Sequence, residues 1–195
     1  MERDSRTMDP FSQTLSQITA AFDRLKIRYA IGGSVASSAR SVWRSTQDVD
    51  LIAAIHPALV DGLVRALGTD WYADADEIRR SLQAGRAFNV IQISTSTKVD
   101  VFPAAEDFHQ SQLDRATMVP LGMGKVPCVV TTAEDILLAK LRWYRDGGEV
   151  SERQWNDIGS VIAINPNLDW EYVNLWAARL GVTSLLERAR AEVEK

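Results

Sequence analysis

The stretch Asp48-Val49-Asp50-Leu51-Ile52-Ala53-Ala54-Ile55 is an apolar run entered through two aspartates. Val49 to Ile55, apolar apart from Asp50, reads as a central strand. On a strand, residues i and i+2 point to one side, so Asp48 and Asp50 converge on one point. Two carboxylates side by side repel, and each raises the other's pKa unless a cation sits between them. Mg²⁺ suits such a pair, since it takes one or two carboxylates and completes its shell with phosphate oxygens and water. A solvated strand edge is the ordinary alternative for Asp-x-Asp taken alone.

Upstream, Tyr29 to Ile31 is a short strand that runs into Gly32-Gly33-Ser34, followed by helix-forming residues to about Trp43. Paired glycines let the backbone turn tightly and approach a ligand, and the helix start offers free N–H groups to a phosphate. Downstream, Asp100 lies within Lys98-Val99-Asp100-Val101-Phe102. A carboxylate in the middle of an apolar strand is costly to bury unless it is paired or metal-bound, although a polar sheet face would also accept it.

The remaining chain supplies the frame. Pro10 to Lys26 has the helical period through Phe11, Leu15, Ile18, Phe22 and Leu25, and Pro10 suits a first turn. Pro57 opens a helix that ends at Gly68, and Asp74 to Ala84 reads as a short helix. Phe88 to Ile93 and Lys98 to Phe102 form a hairpin across Ser94-Thr95-Ser96-Thr97, and Ala116 to Val130 forms another that turns at Gly122-Met123-Gly124. From Thr132 onward the pattern is helical: Ala133 to Arg145, Glu152 to Ile164, Asp169 to Leu180 and Thr183 to Glu194. Thr132 with Asp135 resembles a capping box with Asp in place of Glu. The expectation is an α+β fold, a mixed sheet flanked by helices over residues 1–131, followed by a helical region over 132–195 packed on it.

Bulk properties narrow the function classes. A chain of 195 residues with 46% hydrophobic and 25% charged residues can bury a core without disulfides or a structural metal. The net charge of −4 gives no global basic field for nucleic acid. The single cysteine, Cys128, sits in an apolar stretch and reads as a buried thiol. No stretch approaches the length of a membrane span and the first residues are polar, so a cytoplasmic protein without a membrane partner is expected. His56 and His109 lack a second metal-type ligand at useful spacing and read as surface or cap residues. Arg142, Arg145 and Arg153 could line a substrate cleft, with exposed helix arginines the default reading, and the tryptophans of the helical region read as core.

Gly32-Gly33-Ser34, then Asp48-x-Asp50, then Asp100 on a later strand resembles the signature of the DNA polymerase β-like nucleotidyltransferase superfamily. Tyr29-Ala-Ile-Gly-Gly-Ser with Arg44-Ser45-Thr46-Gln47-Asp48-Val49-Asp50-Leu51 is similar to its minimal members, which include abortive-infection toxins of toxin–antitoxin systems. Glu134 to Leu141 resembles their helix bearing a functional lysine, here Lys140. Arg153-Gln154-Trp155-Asn156-Asp157-Ile158 resembles their Arg…Asp helix, with Trp155-Asn156 where a basic residue is usual. The resemblance implies a nucleotidyltransferase-like fold and an NTP as substrate. It implies one or two Mg²⁺ on Asp48, Asp50 and Asp100, with Asp100 holding the second ion or acting as base. It implies phosphate contacts from Gly32, Gly33 and Ser34, with Lys140, Arg44 and Asp157 also at the nucleotide. The acceptor is left open between RNA, protein and small molecule, and a toxin would bring an antitoxin partner. The alternative is an inactive nucleotide-binding or interaction module with the same fold. A serine hydrolase is not indicated, because Gly-Gly-Ser lacks the glycine two residues beyond the nucleophile.

Overall fold

The computed structural model describes residues 9–33, 48–121 and 125–194, and of Asp48 only the backbone. Ser34, Arg44, the helix expected up to Trp43 and the turn at Gly122-Met123-Gly124 lie outside the described residues. Helix α1 (Pro10–Arg24) starts on Asp9, whose side chain accepts from the Ser12 amide at 3.0 Å. It buries Leu15, Ile18 and Phe22 completely. The strands that follow are β1 (Arg28–Ile31), β2 (Asp48–Ala54), β3 (Trp71–Tyr72), β4 (Phe88–Gln92), β5 (Thr97–Pro103), β6 (Thr117–Leu121) and β7 (Val126–Val130). Between them lie α2 (Val60–Leu67), α3 (Ala75–Gln83) and α4 (Asp107–Arg115). The helical region consists of α5 (Ala133–Asp146), α6 (Glu152–Ile164), α7 (Trp170–Leu180) and α8 (Thr183–Val193).

Among the described residues the strands form one seven-stranded mixed sheet in the order β3-β4-β5-β2-β1-β7-β6. The central β2 runs parallel to β5 and antiparallel to β1, and β1 meets β7 in parallel. Both expected hairpins are present, β4 with β5 and β6 with β7. Two details differ from the sequence reading. Pro57 starts a 3₁₀ turn (Pro57–Leu59) before α2, and His56 Nδ1 accepts from the Ala58 amide there. The two-residue β3 is too short to show a periodicity of its own and exists through pairing with β4.

Alternation along β2 and β5 sorts their side chains between two environments. Val49, Leu51, Ala53, Val99 and Val101 enter the main core with α1 and α2. On the other face, Ile52 packs with Ala30 and with Leu113 of α4, and Phe102 lies against this smaller cluster. Asp50 and Asp100 share that second face, two residues before Ile52 and Phe102 respectively. The second face therefore begins polar and ends apolar, and α4 covers only its apolar end.

Candidate active site

The glycine turn and the first strand acid are built against each other. Gly32 follows β1 directly and donates its N–H to the Asp50 carbonyl at 2.9 Å. Gly33 has φ +60°, and a methyl group added to it would lie 1.8 Å from Asp50 Oδ2. Glycine is therefore needed at position 33 twice over, for its backbone conformation and for the space the carboxylate fills. The turn is also held from the other side. Thr131 donates its backbone N–H to the Ile31 carbonyl at 3.0 Å, and its Oγ1 reaches the same oxygen at 3.3 Å. That double contact sets the end of β1 beside the start of α5.

In the parallel β2·β5 ladder Asp48 is the register partner of Lys98, and Asp50 of Asp100. Parallel partners lie on adjacent strands about 4.8 Å apart with side chains on the same face. Asp50 is half-buried. The Asp100 carboxylate is paired with the Lys98 ammonium at 2.7 Å. The side chain of Asp48 lies outside the described residues. Among the described residues no three His, Cys, Asp or Glu side chains cluster as a metal site. The donors that are described nevertheless suit Mg²⁺, since two hard carboxylates on one rung of adjacent strands are the number this ion takes when phosphate supplies the rest.

A cleft of about 600 Å³ opens over Gly32, Gly33 and Asp50. Its far walls are α4, α5 and the first turns of α6, through His109, Lys140, Trp143, Arg153 and Asp157. The sheet and the helical region thus meet across it. Lys140 Nζ holds Asp157 Oδ2 at 3.1 Å, which brings two expected nucleotide contacts together inside the cleft. Asp100 is beside the cleft rather than among the residues that line it. Glu106 and Arg142 form a two-point ion pair at 2.5 and 3.0 Å on the wall formed by α4 and α5. The Arg142 guanidinium holds the Glu106 carboxyl below its ordinary value.

Several expectations for the cleft walls are corrected. His109 lines the cleft instead of lying on the surface, with Nδ1 buried and unpartnered among the described residues. Burial keeps its imidazole below the ordinary histidine value. Arg142 and Arg153 also line the cleft, whereas Arg145 turns away to the Leu180 carbonyl and Asp146. Trp143 is 57% exposed at the cleft and meets Phe102 edge-to-face at 5.9 Å, so it is not a core residue. None of these was visible in the spacing, because each depends on which face of its helix the tertiary packing turns to the sheet. Cys128 is fully buried as expected, and burial pushes its thiol up to about 12.

No family model matches the sequence, and no curated protein matches it. Among solved structures, the antibiotic-resistance factor ANT(2'')-Ia in solution superposes with a TM-score of 0.54 at 16% identity, over 95% of this chain and 100% of that one. An antigenic nucleotidyltransferase-like protein from Paracoccidioides brasiliensis gives 0.54 at 22% identity, over 93% and 92%. The fold is nucleotidyltransferase-like. A crystal structure of ANT(2'')-Ia in complex with adenylyl-2''-tobramycin gives 0.52 at 15% identity, over 87% and 96%. Within this fold, Gly32, Gly33 and Asp50 face the helical region across the cleft. No helix among the described residues is long and apolar enough to cross a membrane.

Proposed function

We propose that this protein is a Mg²⁺-dependent nucleotidyltransferase that moves a nucleoside monophosphate from an NTP to an acceptor hydroxyl. The observation that carries the reading is the seating of Gly33 on the Asp50 carboxylate, with Asp100 paired to Asp50 on the adjacent strand and the cleft opening above. A phosphate-approach turn and acids on adjacent strands have no structural need to meet, and a triphosphate with its metal needs both.

In this reading Gly32 and Gly33 with Ser34 take the β- and γ-phosphates, through backbone N–H groups and the serine hydroxyl. Lys140 adds a positive charge from the opposite wall, and Asp157 holds that ammonium in place. Arg44 is a further phosphate or acceptor contact. Asp48, Asp50 and Asp100 would hold Mg²⁺, which supplies charge neutralisation at the α-phosphate and the departing pyrophosphate. Asp100 serves as ligand or receives the acceptor's hydroxyl proton. The acceptor oxygen bonds to the α-phosphorus as the bond to pyrophosphate breaks. The enzyme's contribution is chiefly positioning and electrostatics.

Residues 1–131 supply the turn and the carboxylates, and residues 132–195 supply Lys140, Asp157 and the acceptor wall. The cleft volume lies within the range of small-molecule sites. That size, the net negative charge and the ANT(2'')-Ia complex with adenylyl-2''-tobramycin favour a small hydroxyl-bearing acceptor. A toxin role rests on the resemblance in sequence, and growth arrest on expression, relieved by Asp50→Asn, would assign it. The direct test is transfer of label from α-³²P NTPs to a panel of aminoglycosides, lincosamides, RNA and protein. Label on an acceptor with the wild type and none with Asp50→Asn is expected. Equal labelling by both would overturn the assignment.

A further inference from the structure

The ion pair between Lys98 and Asp100 has no evident need on structural grounds. Position 98 is a mid-sheet site flanked by β2 and β4, where β-branched residues are the ordinary occupants. An ammonium stands there instead, 2.7 Å from Asp100 Oδ2. In the ladder, Lys98 is the direct neighbour of Asp48, and Asp100 that of Asp50. Two rungs that follow one another on the same sheet face therefore carry three acids and a single base.

We propose that Lys98 is a resident counter-ion of the carboxylate site, which competes with the divalent metal for Asp100 and thereby links metal binding to nucleotide binding. This rests on the nucleotidyltransferase reading above. Acids on adjacent strands repel when nothing positive stands among them, and a tethered ammonium removes that repulsion without an outside ion. The Lys98 side chain is 41% exposed, so its head can swing to solvent on its flexible stem when another cation arrives. The carboxylates then bind a bare divalent ion less well than their number suggests. The negative triphosphate shifts the balance, because it brings charge and oxygen ligands that favour the metal over the lysine. By reciprocity, the metal strengthens nucleotide binding by the same factor.

The test measures Mg²⁺ binding to the nucleotide-free protein by calorimetry. It also measures affinity for a non-hydrolysable NTP analogue with and without Mg²⁺. Lys98→Met is expected to tighten nucleotide-free Mg²⁺ binding about tenfold and to shrink the Mg²⁺-dependent gain in analogue affinity by a similar factor. Lys98→Gln, which also removes the charge, should do the same and stands in if the Met variant does not fold. Asp50→Asn should abolish Mg²⁺ binding. Metal affinity within twofold of wild type in both Lys98 variants, with Asp50→Asn inactive in binding, would overturn the counter-ion role and leave the enzyme reading standing. Weaker metal binding in those variants would also overturn it, since Lys98 would then be supporting Asp100 for the metal. No Mg²⁺ binding to wild type, with or without the analogue, would remove the enzyme reading and this inference together.

Discussion

Single residues carry the sharpest consequences. Gly33→Ala places a methyl group on the Asp50 carboxylate and forces a side chain into φ +60°. Displacing that carboxylate by about 1 Å should lower turnover roughly 100-fold, with the melting temperature changed far less. Steady-state kinetics beside a thermal melt separates the two effects. His109 offers a pH test. Burial lowers its folded pKa, so the unfolded chain, with an ordinary value near 6.5, takes up the proton first as pH falls. The contribution of His109 is therefore whole above 6.5 and is lost below it, and a His109→Gln variant should show a flatter stability profile between pH 7 and about 5. Cys128 makes a simpler case. Fully buried and pushed up to about 12, its thiol offers no thiolate to reagents at neutral pH, so it should stay silent to a disulfide reagent until the chain is unfolded.

At the scale of elements, α5 is the member that joins the two halves. Thr132 caps it by accepting from the Asp135 amide at 3.3 Å, and a Thr132→Ala variant should cost about 1 kcal/mol in denaturant unfolding. Asp135 does not return a bond to the cap backbone as a capping box would. It is fully buried and accepts from Thr132 Oγ1 at 3.0 Å and from the Tyr172 hydroxyl at 2.6 Å, tying α5 to α7. The aspartate is one methylene shorter than the glutamate of the usual motif, and α7 supplies a better donor. Arg115 lies over the Tyr172 ring at 3.8 Å and completes this junction with α4. Tyr172→Phe leaves a buried carboxylate short of a donor, and a loss of about 1.5–3 kcal/mol should appear in the same unfolding experiment.

For the whole molecule, the cleft is a product of two bodies meeting. The sheet presents Asp50 and the glycine turn, and the helical region presents Lys140, Trp143 and Asp157 across from them. A ligand that touches both sides binds the folded state alone, so an NTP analogue with Mg²⁺ at 100 times its Kd should add about 2.7 kcal/mol to stability. The same addition to an Asp50→Asn variant should give little or nothing, which scanning calorimetry can read.

Apart from β3 and the bounds of α4, the strands, the helices and the two hairpins were legible in the chain because apolar periodicity and turn residues are local quantities. The expected convergence of Asp48 and Asp50 is of the same local kind, since side-chain alternation puts residues i and i+2 on one face. The β2·β5 register is not local. It pairs residues fifty positions apart, and it alone sets Asp50 beside Asp100 and Asp48 beside Lys98. The cleft residues His109, Arg142 and Trp143 are of the same kind, since a helical pattern says which side is apolar but not what faces the remainder. Local chemistry named the acids and the turn; only long-range packing decided which charges would have to live next to one another.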